Sequence, residues 1–481
     1  LRRTLRRAIW IPAVLLYAAA FGASVAVRLA MPTEAEVTDV GRLMKAKVRK
    51  IVRINTTEDV ARALEEARRR GLKVSVAGTN HSQGGQSFYE GAIVLDMKSY
   101  NKVLDLDVDR RVIRVQSGAT WADVQEYANP HGLAVRTMQS SNVFSIGGSL
   151  SANVHGRDTR EGPLIDSVES FRLMLADGSI RNVSRSENAE LFPLVIGGFG
   201  LFGVILDADI RLTDNEVYRE RTVHVDYRAF PDYVRTEILA KGDVALTLGR
   251  LSAAPDSLLS EMYVTRYEKT NVPVSAALAR LAEERNVEVN RFVFGLSRKF
   301  DWGKSFFWDA QRSVYAKQNG MLLTRNNAMR PPIEFLEYRD AQKTDLLQEY
   351  FVPLDRFVPF VDGMREIVRS EELNLMNVTV RYVPQNEEAM LSYARQESLA
   401  LVLLINSKRS ARDVAKLEAA TRRLVDLALE QGGSYYLTYQ LFPTREQFAK
   451  AYPQAEAFFQ WKRKWDPELR FMNEFYARYA P

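Results

Sequence analysis

The sequence predicts an α+β protein built from short apolar strands that end in glycine-rich turns, with helical segments between them. Three observations carry this. Residues 74–77 are a small apolar run that leads directly into Gly78-Thr79-Asn80-His81-Ser82-Gln83-Gly84-Gly85-Gln86. Residues 112–116 alternate as Val-Ile-Arg-Val-Gln and stop at Ser117-Gly118, the pattern of a half-buried strand. Residues 411–431 read as a long helix.

The elements follow in order. Arg2, Arg3, Arg6 and Arg7 precede an uncharged run over residues 8–27, which as a helix would span about 30 Å, the hydrocarbon thickness of a bilayer. Residues 1–31 are therefore expected to form a basic cytoplasmic flank and a single-pass anchor in the cell inner membrane, with the catalytic body outside the cytoplasm. A cleaved signal, leaving a periplasmic or secreted protein, is the alternative. After a linker, residues 38–70 read as helical, with Thr56-Thr57-Glu58-Asp59 as a capping sequence. Strands are expected at 73–77, 92–96 and 112–116, and a helix at 121–129 that stops at Pro130-His131-Gly132. Beyond residue 216 the composition shifts. Strands are expected at 224–227, 245–248, 260–267, 351–354 and 400–406, and helices at 357–370 and 411–431, a sheet with helices on it.

Composition narrows the chemistry. With no cysteine, the chain has no disulfide, thiolate metal site, iron–sulfur cluster or cysteinyl bond to a cofactor. Its four histidines, His81, His131, His155 and His224, share no HxH or HxxxH spacing, so no metal site is expected. The net charge of +6 is spread over 66 bases and 60 acids without a basic aromatic stripe, which argues against nucleic acid as a partner.

Three glycine-rich elements point to a bulky ligand lying against the backbone. The first is the turn at residues 78–86, where glycine permits close approach and His81 adds a nucleophilic nitrogen. The second is Ser145-Ile146-Gly147-Gly148-Ser149-Leu150-Ser151-Ala152-Asn153-Val154-His155-Gly156, small at nearly every position before His155. The third, Gly197-Gly198-Phe199-Gly200-Leu201-Phe202-Gly203, contains GxGxxG. A strand-like Val204-Ile205-Leu206 follows it, which excludes a dinucleotide-binding strand–turn–helix of the Rossmann type.

Together with Gly118-Ala119-Thr120-Trp121-Ala122-Asp123-Val124 and Ala176-Asp177-Gly178, these elements resemble, in order, the FAD-binding PCMH-type (vanillyl-alcohol oxidase / p-cresol methylhydroxylase) flavoprotein superfamily. The resemblance implies an FAD-binding domain of two α+β subdomains over residues 38–215, an α/β substrate (cap) domain over 216–434, and a segment over 435–481 that returns to the flavin. It places FAD against Gly78 to Gln86, Ser141, Gly147, Gly148, Ser149, Ser151, Ala152, His155, Gly203, Val204, Ile205 and Asn473. The GxxHS form of the first turn is similar to that of the alditol oxidase, aldonolactone oxidase and cytokinin dehydrogenase branches, which implies a covalent bond from His81 to the flavin. Residues 147–158 and the tail also resemble decaprenylphosphoryl-ribose oxidase, whose flavin is not covalent and whose first turn lacks this histidine.

In the cap, Val380-Arg381-Tyr382-Val383 resembles the sugar oxidases' Glu-x-Arg strand, with Thr379 where the glutamate stands. Their flavin-facing lysine falls on Tyr439, beside Gln440. The implied activity is hydride transfer from an alcohol carbon of a sugar, polyol, lactone or polyprenyl-linked glycoside to flavin. His155, Tyr439 or a water on Gln440 would take the proton, and Arg381 would orient the substrate. Oxygen, a quinone or a redox protein would accept the electrons. The rival readings are oxidation of an amine or sterol-like alcohol, and a non-catalytic membrane electron carrier.

Overall fold

The computed structural model describes residues 16–19 and 35–481. The expected anchor over residues 1–31 lies outside the described residues, apart from 16–19. Among the described residues, no helix is long and apolar enough to cross a membrane.

Among the described residues, three larger sheets and one two-stranded sheet (Ala35–Thr38 with Lys45–Val48) build the mixed α+β body. In the first, Val74–Ala77 and Lys50–Arg53 flank Ile93–Asp96 in parallel. The Thr57–Arg70 helix buries Val60, Ala63, Leu64 and Ala67, one face at helical spacing. Thr56 and Asp59 form a capping box at its start, and Gly71 closes its end in the left-handed region. The second sheet is antiparallel and runs Ile180–Ser184, Val168–Met174, Val204–Asp214, Val112–Gln116, Val103–Asp107, with Leu133–Val135 on the far end of Val204–Asp214. A strand thus follows the GxGxxG glycines.

The third sheet has eight strands, in the order Leu322–Thr324, Val217–Asp226, Glu261–Lys269, Val244–Leu251, Leu375–Val383, Ser398–Lys408, Lys343–Pro353, Ser434–Tyr435. The Phe357–Ser370 and Ala411–Glu430 helices cover one face with Phe360, Val361, Met364, Leu417, Leu424 and Val425. Because side chains alternate across a strand, Asn377, Thr379 and Arg381 turn to the other face, where Leu347 and Glu349 join them at a large cavity.

Two expectations are corrected. Residues 38–56 are not helical, because Lys45–Val48 alternates charged and apolar side chains, Lys50–Arg53 alternates in burial, and both pair as strands. Asp39 closes the turn before them, its carboxylate accepting from the Leu43 and Met44 amides. The strand expected at 351–354 begins eight residues earlier, at Lys343, where burial alternates from residue to residue although polarity does not.

The C-terminal segment returns to the first sheet. Val74 N–H donates to the Arg470 carbonyl at 2.7 Å, and Met472 N–H donates to the Val74 carbonyl at 2.9 Å. The Ser75 hydroxyl donates to the Met472 carbonyl at 2.6 Å. Asp466, buried and paired with Lys462, accepts from the Arg470 and Phe471 amides.

Candidate active site

A cavity of about 1120 Å³ lies between the first turn, the glycine corner and the inner face of the eight-stranded sheet. Its two glycine walls are laced together. The Thr79 hydroxyl accepts from the Ser145 amide at 3.2 Å, and a Cβ on Gly78 would stand 2.1 Å from Ser145 Oγ. Ile146–Ala152 is a short helix, held as Ile146 N–H donates to the Ala119 carbonyl and Gly147 N–H to the Ser117 carbonyl. A Cβ on Gly147 would stand 2.8 Å from Ser117 Cβ, so packing alone requires that glycine. Gly148 is different. Its added Cβ would meet only Ser145 Oγ, at 3.0 Å, and a larger side chain would enter the cavity. Ser117 Oγ, on the same wall, is buried with no protein partner. A bare backbone wall with an unmet hydroxyl fits a flat, polar cofactor such as FAD.

His81 faces this cavity, its Nδ1 3.1 Å from the Thr79 hydroxyl and its ring 4.7 Å from that of Phe144. The side chain is exposed to solvent, and the atoms packed around the ring desolvate it only in part. This desolvation lowers the pKa, so the ring is neutral near pH 7 and keeps a nucleophilic lone pair.

At the sheet side stands a cluster centred on Glu349. His155 Nε2 is 2.7 Å from one Glu349 carboxylate oxygen, and the Tyr439 hydroxyl donates to the other at 3.1 Å. Glu349 and His155 are 3% exposed each, a fully desolvated pair. Burial would raise the Glu349 pKa, but His155, the Arg381 charge and the Tyr439 hydroxyl outweigh it and hold the carboxyl below its ordinary value. Burial, with Glu349 beside it, pushes the Tyr439 phenol well above its own. Phe351, Tyr393 and Tyr436 surround the His155 ring at 5.3–6.0 Å, and His155 Nδ1 has no partner. Tyr393 and Tyr436 donate to the Asn153 and Ala152 carbonyls, tying this cluster to the glycine corner. Beside it, Arg250 donates to the Thr379 hydroxyl from the neighbouring strand, and the Nε–H groups of Arg250 and Arg381 are buried without partners.

The structure brings Gly78, Thr79, Asn80, His81, Ser82, Gln83, Gln86, Ser141, Gly147, Gly148, Ser151, Ala152, His155, Gly203, Ile205, Arg381 and Tyr439 to this one cavity. Six other expected site residues stand behind its wall. Gly84 packs on the Tyr439 carbonyl and Gly85, with φ +68°, on Glu474. The Ser149 hydroxyl accepts from the Trp121 indole, Val204 is core, and Asn473 donates to the Gln86 and Phe199 carbonyls. Gln440 cannot hold a catalytic water at the ring, because it alternates away from Tyr439 and donates to Asp39. Burial raises that carboxyl to about 6. Glu349 and Arg250 were not foreseen. A lone acid inside the apolar run Leu346-Leu347-Gln348-Glu349-Tyr350-Phe351-Val352 was the available signal for Glu349.

Comparison with known proteins agrees with this cavity. An FAD binding domain model matches residues 48–184. An uncharacterized oxidoreductase of the fasciation locus of Rhodococcoides fascians is 35% identical over 176 residues, 36% of this chain and 40% of that protein. The match thus spans two fifths of that relative's length. Decaprenylphosphoryl-beta-D-ribose oxidase of Mycolicibacterium smegmatis is 23% identical over 451 residues, 87% of this chain and 91% of that one. L-gulonolactone oxidase of Bos taurus is 24% identical over 434 residues, 87% of this chain and 92% of that one. Residues 48–184 thus match an FAD binding domain, and over most of its length the chain is similar to FAD-dependent oxidoreductases of the PCMH-type flavoprotein superfamily.

Proposed function

We propose that this chain oxidises a hydroxyl-bearing carbon of a sugar, polyol, lactone or polyprenyl-linked glycoside, with FAD attached through His81. The observation that carries the reading is the Tyr439–Glu349–His155 chain standing beside two unmet guanidinium donors on one cavity wall. Bound FAD supplies a ring that accepts the hydride. The hydroxyl proton of the substrate passes to Tyr439 Oη as the phenol proton passes to Glu349. Arg381 stays protonated and acts as a fixed donor, never as the base. With Arg250 and Asn377 it offers a polar floor that suits a substrate with several oxygens. The names of two relatives, a ribose oxidase with a decaprenylphosphoryl group and a gulonolactone oxidase, support the same class. The sequence of residues 1–31 supports a body held at the outer face of the inner membrane, where a lipid-linked glycoside would reach it.

The test is bleaching of the flavin absorbance, without oxygen, by aldonolactones, alditols, a polyprenyl-phosphoryl pentose and simple amines. Bleaching by one of the alcohols is expected. Bleaching by amines alone, or by none of the panel, would overturn the reading. In the same preparation, acid precipitation should leave FAD on the protein, whereas His81→Ala protein should release it or fail to bind it. Free FAD in the acid supernatant of the wild type would remove the covalent bond and leave the oxidation untouched.

A further inference from the structure

The helical hairpin Val287–Lys299 and Asp301–Gln318 has two apolar faces, and the cavity uses only one. Inward, Phe294 and Phe307 pack at 5.0 Å, Phe335 lies 5.7 Å from Phe294, and all three line the cavity with Gln311. Outward, Phe292 is 69% exposed, Val289 62%, Trp302 58% and Phe306 50%. Phe300, at the tip between the helices, is also exposed and stacks on Trp302 at 5.4 Å. Val289 and Phe292, and Trp302 and Phe306, are three and four residues apart, so each helix presents a stripe. Isolated exposed apolar residues are ordinary, but large aromatics gathered on one hairpin mark a contact surface.

We infer that this outward face docks on the surface of an anionic lipid bilayer. Charge favours that occupant. Residues 285–318 hold seven bases (Arg285, Arg291, Arg298, Lys299, Lys304, Arg312, Lys317) against three acids (Glu288, Asp301, Asp309). Arg285, Lys299, Arg312 and Lys317 are exposed, as are Glu288, Asp301 and Asp309, and Arg298 is buried on Asp345, so the positive excess of the segment is carried by Arg285, Lys299 and Lys317. Tryptophan and phenylalanine beside lysine and arginine on an amphipathic helix suit the headgroup boundary, where the rings reach acyl chains and the cations meet lipid phosphate. The helices have 13 and 18 residues and carry charges, which suits lying in the interface rather than crossing it. The hairpin also forms one wall of the cavity through Phe294, Phe307 and Gln311, so docking would bring that wall toward the lipid surface. Val40 and Arg42, which follow the first described strand, line the same cavity. The docking surface stands independently of which alcohol the cavity takes.

The chain has no cysteine, so a single engineered thiol gives a unique label. Full-length Phe292→Cys and Trp302→Cys proteins, carrying an environment-sensitive fluorophore, would be bound to phosphatidylglycerol–phosphatidylethanolamine vesicles. Ile180→Cys, exposed on the edge of the six-stranded sheet, is the control. Retained flavin absorbance reports folding of each variant. The expected result is a blue shift at 292 and 302, loss of most of that emission when the acyl chains are brominated, and no change at 180. Vesicle-bound protein whose 292 and 302 labels stay aqueous would overturn the proposal, as would failure to bind the vesicles. A blue shift without lipid that grows with protein concentration would assign the face to a second copy. A blue shift without lipid at every dilution would assign it to the chain's own remaining residues. Either of these also overturns the proposal.

Discussion

Glu349→Gln should slow substrate-driven flavin bleaching by about 10²–10⁴-fold while FAD stays bound, the range for loss of a positioned acid–base group. Glutamine fills the same space, and its carbonyl can still accept from His155 Nε2. It has no charge, so it cannot take the Tyr439 proton. Because the substitution keeps the side chain's size and Glu349 is not one of the glycine-wall residues that would hold the cofactor, binding should survive. The acid limb of the wild-type rate follows from the same cluster. Glu349 is held below its ordinary value, so activity should persist as pH falls through the usual carboxylate range and fail only below it. In the glutamine variant that limb should vanish. An unchanged bleaching rate would take Glu349 out of the proton path and leave the unpartnered His155 Nδ1 in its place.

The largest stability loss is expected at the buried ion pair that joins the second sheet to the third. Arg325 and Asp158 are 1% and 2% exposed along their side chains and 2.7 Å apart. Arg325 also donates to the Val135 and Arg136 carbonyls and to the Tyr218 hydroxyl. Asp158→Ala would leave a guanidinium buried without its counter-charge, at a cost of about 3–5 kcal/mol. Denaturant unfolding at pH 7 would measure this as a lower midpoint. The sign with pH is fixed by the carboxylate. Burial opposes its charge, but Arg325 and Arg160 hold its folded pKa below the ordinary value of 3.8. Its contribution is therefore present above about pH 4 and lost as pH falls through the depressed value. The gap between wild type and variant should close in acid. A gap below about 1 kcal/mol at pH 7 would class the pair with exposed salt bridges.

Local signals in the chain were readable, and distant ones were not. The Phe357–Ser370 helix could be bounded to the residue, because its apolar period breaks cleanly at both ends. The first turn and the glycine corner were also legible, since small residues in a run are a local mark of close backbone approach. Lys45–Val48 and Lys50–Arg53 were misread because strands of four residues hold too few alternations to outweigh a neighbouring helix. Glu349 was missed for another reason. Its partner His155 is 194 residues away, just after the glycine-corner helix, and only the packing of that segment on the third sheet brings the two together. Gln440 shows the reverse error, because adjacency to Tyr439 in sequence means the opposite side of the backbone in an extended segment.

The return of residues 466–473 to the first sheet carries a consequence for biogenesis. Val74 and Ser75, which lead into the cofactor turn, receive their flanking partner from residues 470–472, nearly 400 positions later. During synthesis, the strand beside the turn must wait with an open edge until the tail has left the ribosome. Such long-range closure is slow, and an unpaired edge invites association with other chains. Cofactor loading then has to wait until residues 466–473 have been made. A chain cut short by a few dozen residues would keep its glycine-rich turn and still lack the strand neighbour that holds it.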